Sequence, residues 1–345
     1  GTNGKSTLVK LLHDALTTAG LRSAIGGNYG IPLSEIAPES DALDWIVVEV
    51  SSFQLERVST FRPKVGVFLN LQPDHLDRHG DMEAYRELKS RLFQCMRADD
   101  VGIVYEPELG PVKALTHGEN RWVTFGGAAE ADYRYIPSQG IRFCDNAGAE
   151  TTLNIAGTAF DNPVLGLAAA AGVAAVQACG LTCDAILGAI AGFSPLSHRM
   201  ERVRVAAGVT FIDDSKATNL AALKAGVEMV GAPVRLIAGG LLKEKELEFV
   251  KEVLAKNVAC VYVIGQAAST MSHAWQDAVP CVACGDLEAA VGKAWKHADN
   301  GDTVLLSPGC ASFDQFRSYK DRGEQFQKIV EDINEERKNE NIVRG

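Results

Sequence analysis

The chain has 345 residues and a formal net charge of -10, with no Lys/Arg cluster that could form the basic stripe a nucleic acid needs, so no nucleic-acid partner is expected. Hydrophobic residues make up 46% and charged residues 23%, the balance of a folded globular chain, and the length points to about two domains rather than one. No stretch approaches the ~20 apolar residues of a membrane span and the start has no charged-then-apolar leader, so no membrane partner is expected and the chain reads as cytoplasmic.

Gly1 to Thr7 reads GTNGKST, a phosphate loop. Gly4 lets the backbone turn its N–H groups toward phosphate oxygens, Lys5 supplies a point charge, and Ser6 offers a hydroxyl to Mg²⁺ at the start of a helix over 7–19. Thr2, Asn3 and Thr7 complete the ATP-binding set. Such loops follow a buried strand, so the chain is expected to begin in mid-motif.

Trp45 to Val50 and Lys64 to Leu71 are continuous apolar runs that predict strands buried on both faces. Glu49 ends the first, at the carboxyl edge where open α/β sheets bind ligands, and is a candidate to hold Mg²⁺. His75 follows a proline turn after the second and is a candidate metal ligand. Asp81 to Ala98 has helical spacing and carries Lys89, by itself a surface lysine. Val101 to Tyr105 returns as a strand, giving the βαβ rhythm of a parallel sheet.

Between Trp122 and Ile155 short alternating segments predict hairpins added to the sheet. An Ala-rich helix over 164–179 follows, then Thr182 as N-cap of a helix ending near Gly192. Phe193 to His198 has no periodicity, which places a domain boundary there. The domains predicted are 1–195 and 196–345. The second starts with a hairpin-like Arg202 to Asp213 and a helix from Asn219, then strands at Val234 to Ala238, Cys260 to Ile264 and Thr303 to Ser307, with a fraying tail over 335–345. The eight cysteines are scattered, and Cys281 and Cys284 have no second pair to complete a zinc site, so they read as reduced core residues.

GTNGKST, EVSSFQLE (49–56), NLQPDHLDRHG (70–80), YRELK (85–89), HRME (198–201), DDSKATN (213–219) and LLSPGCASFDQF (305–316) occur in the order seen in Mur ligases, and the sequence resembles that family from Gly1 to about Phe326. SSFQLE and SPGCASFDQF look like the D-glutamate-adding branch. The resemblance implies an α/β fold with a central P-loop ATPase domain, its sheet mostly parallel, and a C-terminal Rossmann-like α/β domain that closes over it. It implies ATP and two Mg²⁺ ions as cofactors, and amide formation between UDP-N-acetylmuramoyl-L-alanine and D-glutamate through an acyl phosphate, by a monomer.

By the same resemblance Lys89 carries a carbamate that joins Ser6, Glu49 and His75 in holding metal, and Lys5, Glu49, His75, Lys89 and Arg199 are the catalytic set. Asn162, Arg199, Asp214 and Lys216 bind ATP. Asn28, Ser51, His75, Thr218, Lys243, Ser312 and Tyr319 bind the other substrates. Asp161-Asn162 followed by Leu165 departs from the family's His-Asn pair with a second Asn, Leu241-Leu242 precedes Lys243 where smaller or acidic residues are usual, and Tyr319 replaces a common Phe. The family also has an N-terminal domain that grips the UDP-sugar. The 345 residues are expected to lack it, and so to fold without making product. The alternatives are another ligase of the superfamily, such as folylpolyglutamate synthase, or a nucleotide-binding fragment without ligase activity.

Overall fold

The structure is a computed structural model that describes residues 1–333 apart from 146, 147, 232 and 245, and the backbone only of Asp77. The expected tail over 335–345 lies outside the described residues. The chain forms two compact units, Gly1–Ser194 and Pro195–Gly345, each described by itself.

In the first unit the helix Lys5–Thr18 starts directly behind Gly4. Strands β1 (Ser23–Gly27) and β2 (Trp45–Glu49) pair in parallel, Gly27 opposite Glu49. A separate six-stranded sheet runs in the order β3 (Val65–Phe68), β4 (Val101–Tyr105), β5 (Arg121–Gly126), β6 (Tyr133–Ile136), β7 (Gly140–Cys144), β8 (Glu150–Leu153). It is parallel from β3 to β6 and antiparallel from β6 to β8. The expected hairpins are therefore only β6–β7 and β7–β8. β5 and β6 run the same way, and Asp132 in the crossover bonds back to β5, its carboxylate accepting from Thr124 N and Oγ at 2.7 Å.

β2 and β3 differ from the expected strands buried on both faces. Four of the five β2 residues are half-buried and β3 alternates between buried and half-buried. A mostly apolar cleft of about 340 Å³ is lined by both strands and by Leu8, Leu12 and Val176, and its lining includes Lys5, Glu49 and Lys89. Elsewhere the core is dense. The helix Pro163–Ala178 packs on β4, β5 and β6 through small residues. At Gly166 an added Cβ would lie 2.5 Å from the Tyr135 ring, so the approach requires glycine.

The helix predicted over 81–98 is shorter, Met82–Ser90 followed by one 3-10 turn. The Ser90 hydroxyl bonds back to Arg86 O at 2.8 Å, and Asp100 takes Arg97 N at 2.8 Å, which gives the backbone an alternative to further helix. Thr182 is the N-cap residue of the helix Cys183–Ala191, yet its side chain makes no capping bond; nothing in the structure explains why.

The second unit is one six-stranded sheet ordered β13 (Cys281–Gly285), β12 (Val258–Ile264), β11 (Val234–Gly239), β14 (Thr303–Leu306), β10 (Val209–Asp213), β9 (Glu201–Ala206). All neighbours are parallel except β9 and β10. That hairpin turns at Ala207 and Gly208, both at positive φ, as a two-residue turn demands. Helices cover both faces, with one apolar cluster around Leu236, Val263 and Trp275 and another around Phe211, Tyr262 and Phe326. β10, β14 and β11 are adjacent, and chain order reverses between β14 and β11, so their carboxyl ends meet at a topological switch point.

Candidate active site

Gly4 has φ 82 and is the N-cap of the helix Lys5–Thr18, whose first turn holds no acidic residue. The N–H groups and dipole at a helix N-terminus favour an anion. The loop is fixed from outside: Asn70 Oδ1 accepts from Thr2 N at 3.0 Å and Asn3 N at 2.9 Å, and Gln72 Oε1 accepts from Asn3 Nδ2 at 3.0 Å. Asn70 and Gln72 were missed as functional candidates, although NLQ was part of the motif pattern. The signal was two amides directly after a strand that ends beside a phosphate loop.

Glu49 is buried at the end of β2, as its place in the apolar run predicted. Its two oxygens accept from Ser6 Oγ at 2.6 Å and Asn28 Nδ2 at 2.6 Å. Ser6, Glu49 and Asn28 are thus brought together. Lys5 donates to Gly1 O at 3.0 Å and Thr2 O at 2.7 Å, and Lys89 donates to the same Gly1 O at 3.0 Å.

Lys89 is not the surface lysine its helix alone would indicate: it is buried. Burial, and then the like charge of Lys5, lower its pKa to about 7. Its ammonium lies 4.4 Å from the Tyr85 ring centre. That face attracts a desolvated cation by about 2 kcal/mol, less than the several kcal/mol that burial costs the charge. The helix that carries it is capped by Asp81, whose side chain accepts from Glu83 N and Ala84 N. Tyr85 is itself buried, pushed up to about 12 by burial, and stacked on His79 at 5.2 Å.

His75 has φ 54 and a side chain 41% exposed, 3.6 Å from Asp74 and 4.9 Å from the Phe53 ring. Ser51 caps the short helix Ser52–Leu55 in a reciprocal capping box with Gln54. Asn162 caps the helix Pro163–Ala178, accepting from Val164 N and Leu165 N, so both predicted side chains have a structural task the sequence did not reveal.

In the second unit Asp214 follows β10 and Ser307 follows β14, and Ser307 Oγ donates to Asp214 Oδ2 at 2.8 Å. Burial raises the Asp214 pKa to about 7, against the hydrogen bonds from Ser307 and Met200 and the charge of Arg199. Lys216 lies 4.1 Å over the Tyr319 ring. Ser312 is buried, Thr218 half-buried and Lys243 exposed. Arg322, fully buried, donates to Ser215 Oγ and O and to Cys310 O at 2.8–3.1 Å, locking the loop after β10 to the loop after β14; sequence reasoning missed it, since helix charges are read as solvated.

A phosphate loop beside a buried glutamate, and a second parallel sheet with charged loops at its switch point, define an enzyme of the nucleotide-dependent α/β kind. Comparison places it further: a Mur ligase middle domain matches residues 1–171 and a Mur ligase glutamate ligase domain matches residues 198–310. The chain belongs to the Mur ligase family of ATP-dependent acid–amino-acid ligases. It is 41% identical over 334 residues to the UDP-N-acetylmuramoylalanine--D-glutamate ligase of Desulfotalea psychrophila, covering 96% of this chain and 72% of that one. The enzyme of the same name from Syntrophotalea carbinolica is 39% identical, covering 96% and 73%. Among solved structures, Thermotoga maritima MurF ligase in complex with ADP has a TM-score of 0.69 at 19% identity, covering 96% of this chain and 79% of that one. E. coli FolC in complex with DHPP and ADP has a TM-score of 0.69 at 19% identity, covering 96% and 87%. At such identities these two share the fold.

Proposed function

We propose that the chain joins D-glutamate to the alanine carboxylate of UDP-N-acetylmuramoyl-L-alanine at the expense of ATP. The observation that carries the chemistry is the buried Ser6–Glu49 pair, bonded to Asn28, in the same unit as Lys5 and the buried Lys89. The substrates are supported by the names of relatives 39–41% identical.

The alanine carboxylate attacks the γ-phosphorus, giving an acyl phosphate and ADP. The D-glutamate amine then attacks the acyl carbon, phosphate leaves, and the amine proton is lost. Carboxylate and triphosphate repel each other, so the protein's task is to bring anions together. Lys5 and the N–H groups of the first helical turn bind phosphate oxygens; the family resemblance gives Arg199 and Lys216 the role of countercharge. Asp214 and Asn162 join the ATP set, while Thr218, Lys243, Ser312 and Tyr319 receive D-glutamate and Asn28, Ser51 and His75 the other substrate.

Ser6 Oγ and Glu49 Oε2, 2.6 Å apart and buried, are the hard oxygen donors Mg²⁺ prefers, and the residues fit. A lysine lowered to about 7 has a neutral amine near neutral pH that can react with CO₂, and His75 with that carbamate would hold a second ion. The ions, when bound, neutralise the triphosphate so that a carboxylate can approach. The enzyme acts on small molecules, in our reading as a cytoplasmic monomer; no described helix is long and apolar enough to cross a membrane.

The test is an amino-acid panel in a phosphate-release assay with the full-length gene product. D-glutamate should be the preferred amine, and preference for another amino acid would reassign the chain within the family. Lys5→Ala should abolish Mg-ATP binding in calorimetry; unchanged affinity would remove the phosphate loop from the proposal.

A further inference from the structure

Arg199 lies between His198 at φ 61 and Met200 at φ 50, two left-handed conformations that residues with side chains rarely adopt. Such a turn needs support from its surroundings. His198 N donates to Glu201 Oε2 at 2.8 Å, and His198 Nδ1 to Asp213 Oδ2 at 2.7 Å. Lys216 N donates to His198 O at 3.0 Å, and Met200 N to Asp214 Oδ1 at 3.3 Å. The same bonds therefore fix the backbones of Arg199 and Lys216 together.

Glu201 and Asp213 are two carboxylates on one side of this turn, and a donor reaches both. Gln327, on the helix Tyr319–Glu331, donates from Nε2 to Asp213 Oδ2 at 2.9 Å and to Glu201 Oε2 at 3.1 Å. An amide NH₂ has two hydrogens, so one group serves both acceptors. His198, Glu201 and Asp213 offer metal-ligand atoms within 4.8 Å of one another. His198 Nδ1 bonds Asp213, and Glu201 and Asp213 both accept from Gln327, so the three side chains already have hydrogen-bond partners without an ion. Gln327 stands outside every motif that led to the active site.

We propose that Gln327 and Asp213 are positioning residues: the Gln327 amide bridges Glu201 and Asp213, which hold the His198–Met200 turn and so aim Arg199 and Lys216. This rests on the role of Arg199 proposed above. Neither residue touches substrate; each acts through the turn.

The experiment is kinetics on the full-length enzyme carrying Gln327→Met, which keeps the side-chain length and removes both donors. We expect kcat to fall about tenfold, as misplacement of a catalytic group does, with KM for D-glutamate and the thermal midpoint little changed. Glu201→Met, which removes the acceptor at the other end of the bridge, should show the same split and guards against a single variant that fails to fold. The deciding arm is the double variant: in an Arg199→Ala background, Gln327→Met should cost clearly less than it does in the wild type, the remainder being what it costs through Lys216. A full additional loss there, or wild-type kcat in both single variants, overturns the proposal. Tight binding of Zn²⁺ to the wild type that Gln327→Met leaves intact and Asp213→Asn removes would also overturn it, since the cluster would then be a metal site. Full activity of Arg199→Ala alone would instead sink the role of Arg199 on which it rests.

Discussion

Lys89 in the first unit and Asp214 in the second are buried charges driven to about 7 from opposite sides, the lysine down and the carboxylate up. In both, desolvation is the largest cause, but the second influence differs. Lys89 faces a like charge in Lys5, which adds to the effect of burial. Asp214 has hydrogen bonds from Ser307 and Met200 and the charge of Arg199, which oppose it. The lysine's surroundings disfavour its ammonium, the form that cannot react with CO₂, while the carboxylate keeps donors that favour its anion. Both groups are driven toward their neutral forms by burial; the neighbours reinforce this at Lys89 and oppose it at Asp214.

The largest effect that could break this comparison is on activity. Lys89→Met should reduce ligation about 10²–10³-fold, the loss typical of removing a group that stabilises developing charge, while raising the thermal midpoint, because a costly buried amine is gone. Short carboxylic acids should restore part of the activity of Lys89→Ala by replacing the carbamate oxygens. A fully active alanine variant would end the carbamate role.

A second effect is on stability against pH, with opposite slopes for the two groups. Between about 7 and 10.5 the unfolded chain keeps the Lys89 proton that the folded chain has lost, so this group's contribution to stability rises with pH across that window. The midpoint advantage of Lys89→Met should be full below pH 7 and vanish toward 10.5. For Asp214 the folded chain keeps a proton between 3.8 and about 7 that the unfolded chain has lost, so its contribution falls as pH rises there. Asp214→Asn should gain on the wild type from pH 4 to pH 7 and then hold level. Parallel pH curves for either variant and the wild type would show that the group is not buried as described.

The smallest effect separates two caps that look alike in sequence. Asp81→Ala should cost about 1 kcal/mol, a shift of a few degrees, because its side chain accepts two backbone N–H groups. Thr182→Ala should cost less than half of that, since Thr182 makes no capping bond. Equal losses would mean that the geometry of these caps does not decide their worth.

Local pattern carried much of the fold. β4 lies at Val101–Tyr105 as read from its apolar run, and Asn219 caps the helix Leu220–Val230 as its residue type predicts. The parallel crossover between β5 and β6 was not legible, because a short connection between alternating segments reads locally as a hairpin.

The site divides along the same line. The sequence by itself determined the phosphate loop, the strand-end position of Glu49 and the family, since each rests on residue types at short, fixed spacing. Only the tertiary structure decided that Lys89 is buried near Lys5, that Asn70 and Gln72 brace the loop, and that Gln327 bridges Glu201 and Asp213 across more than a hundred residues of chain. The physical reason is that burial and hydrogen-bond partnership belong to neighbours in space, and a charge's pKa follows from its neighbours rather than from its own side chain.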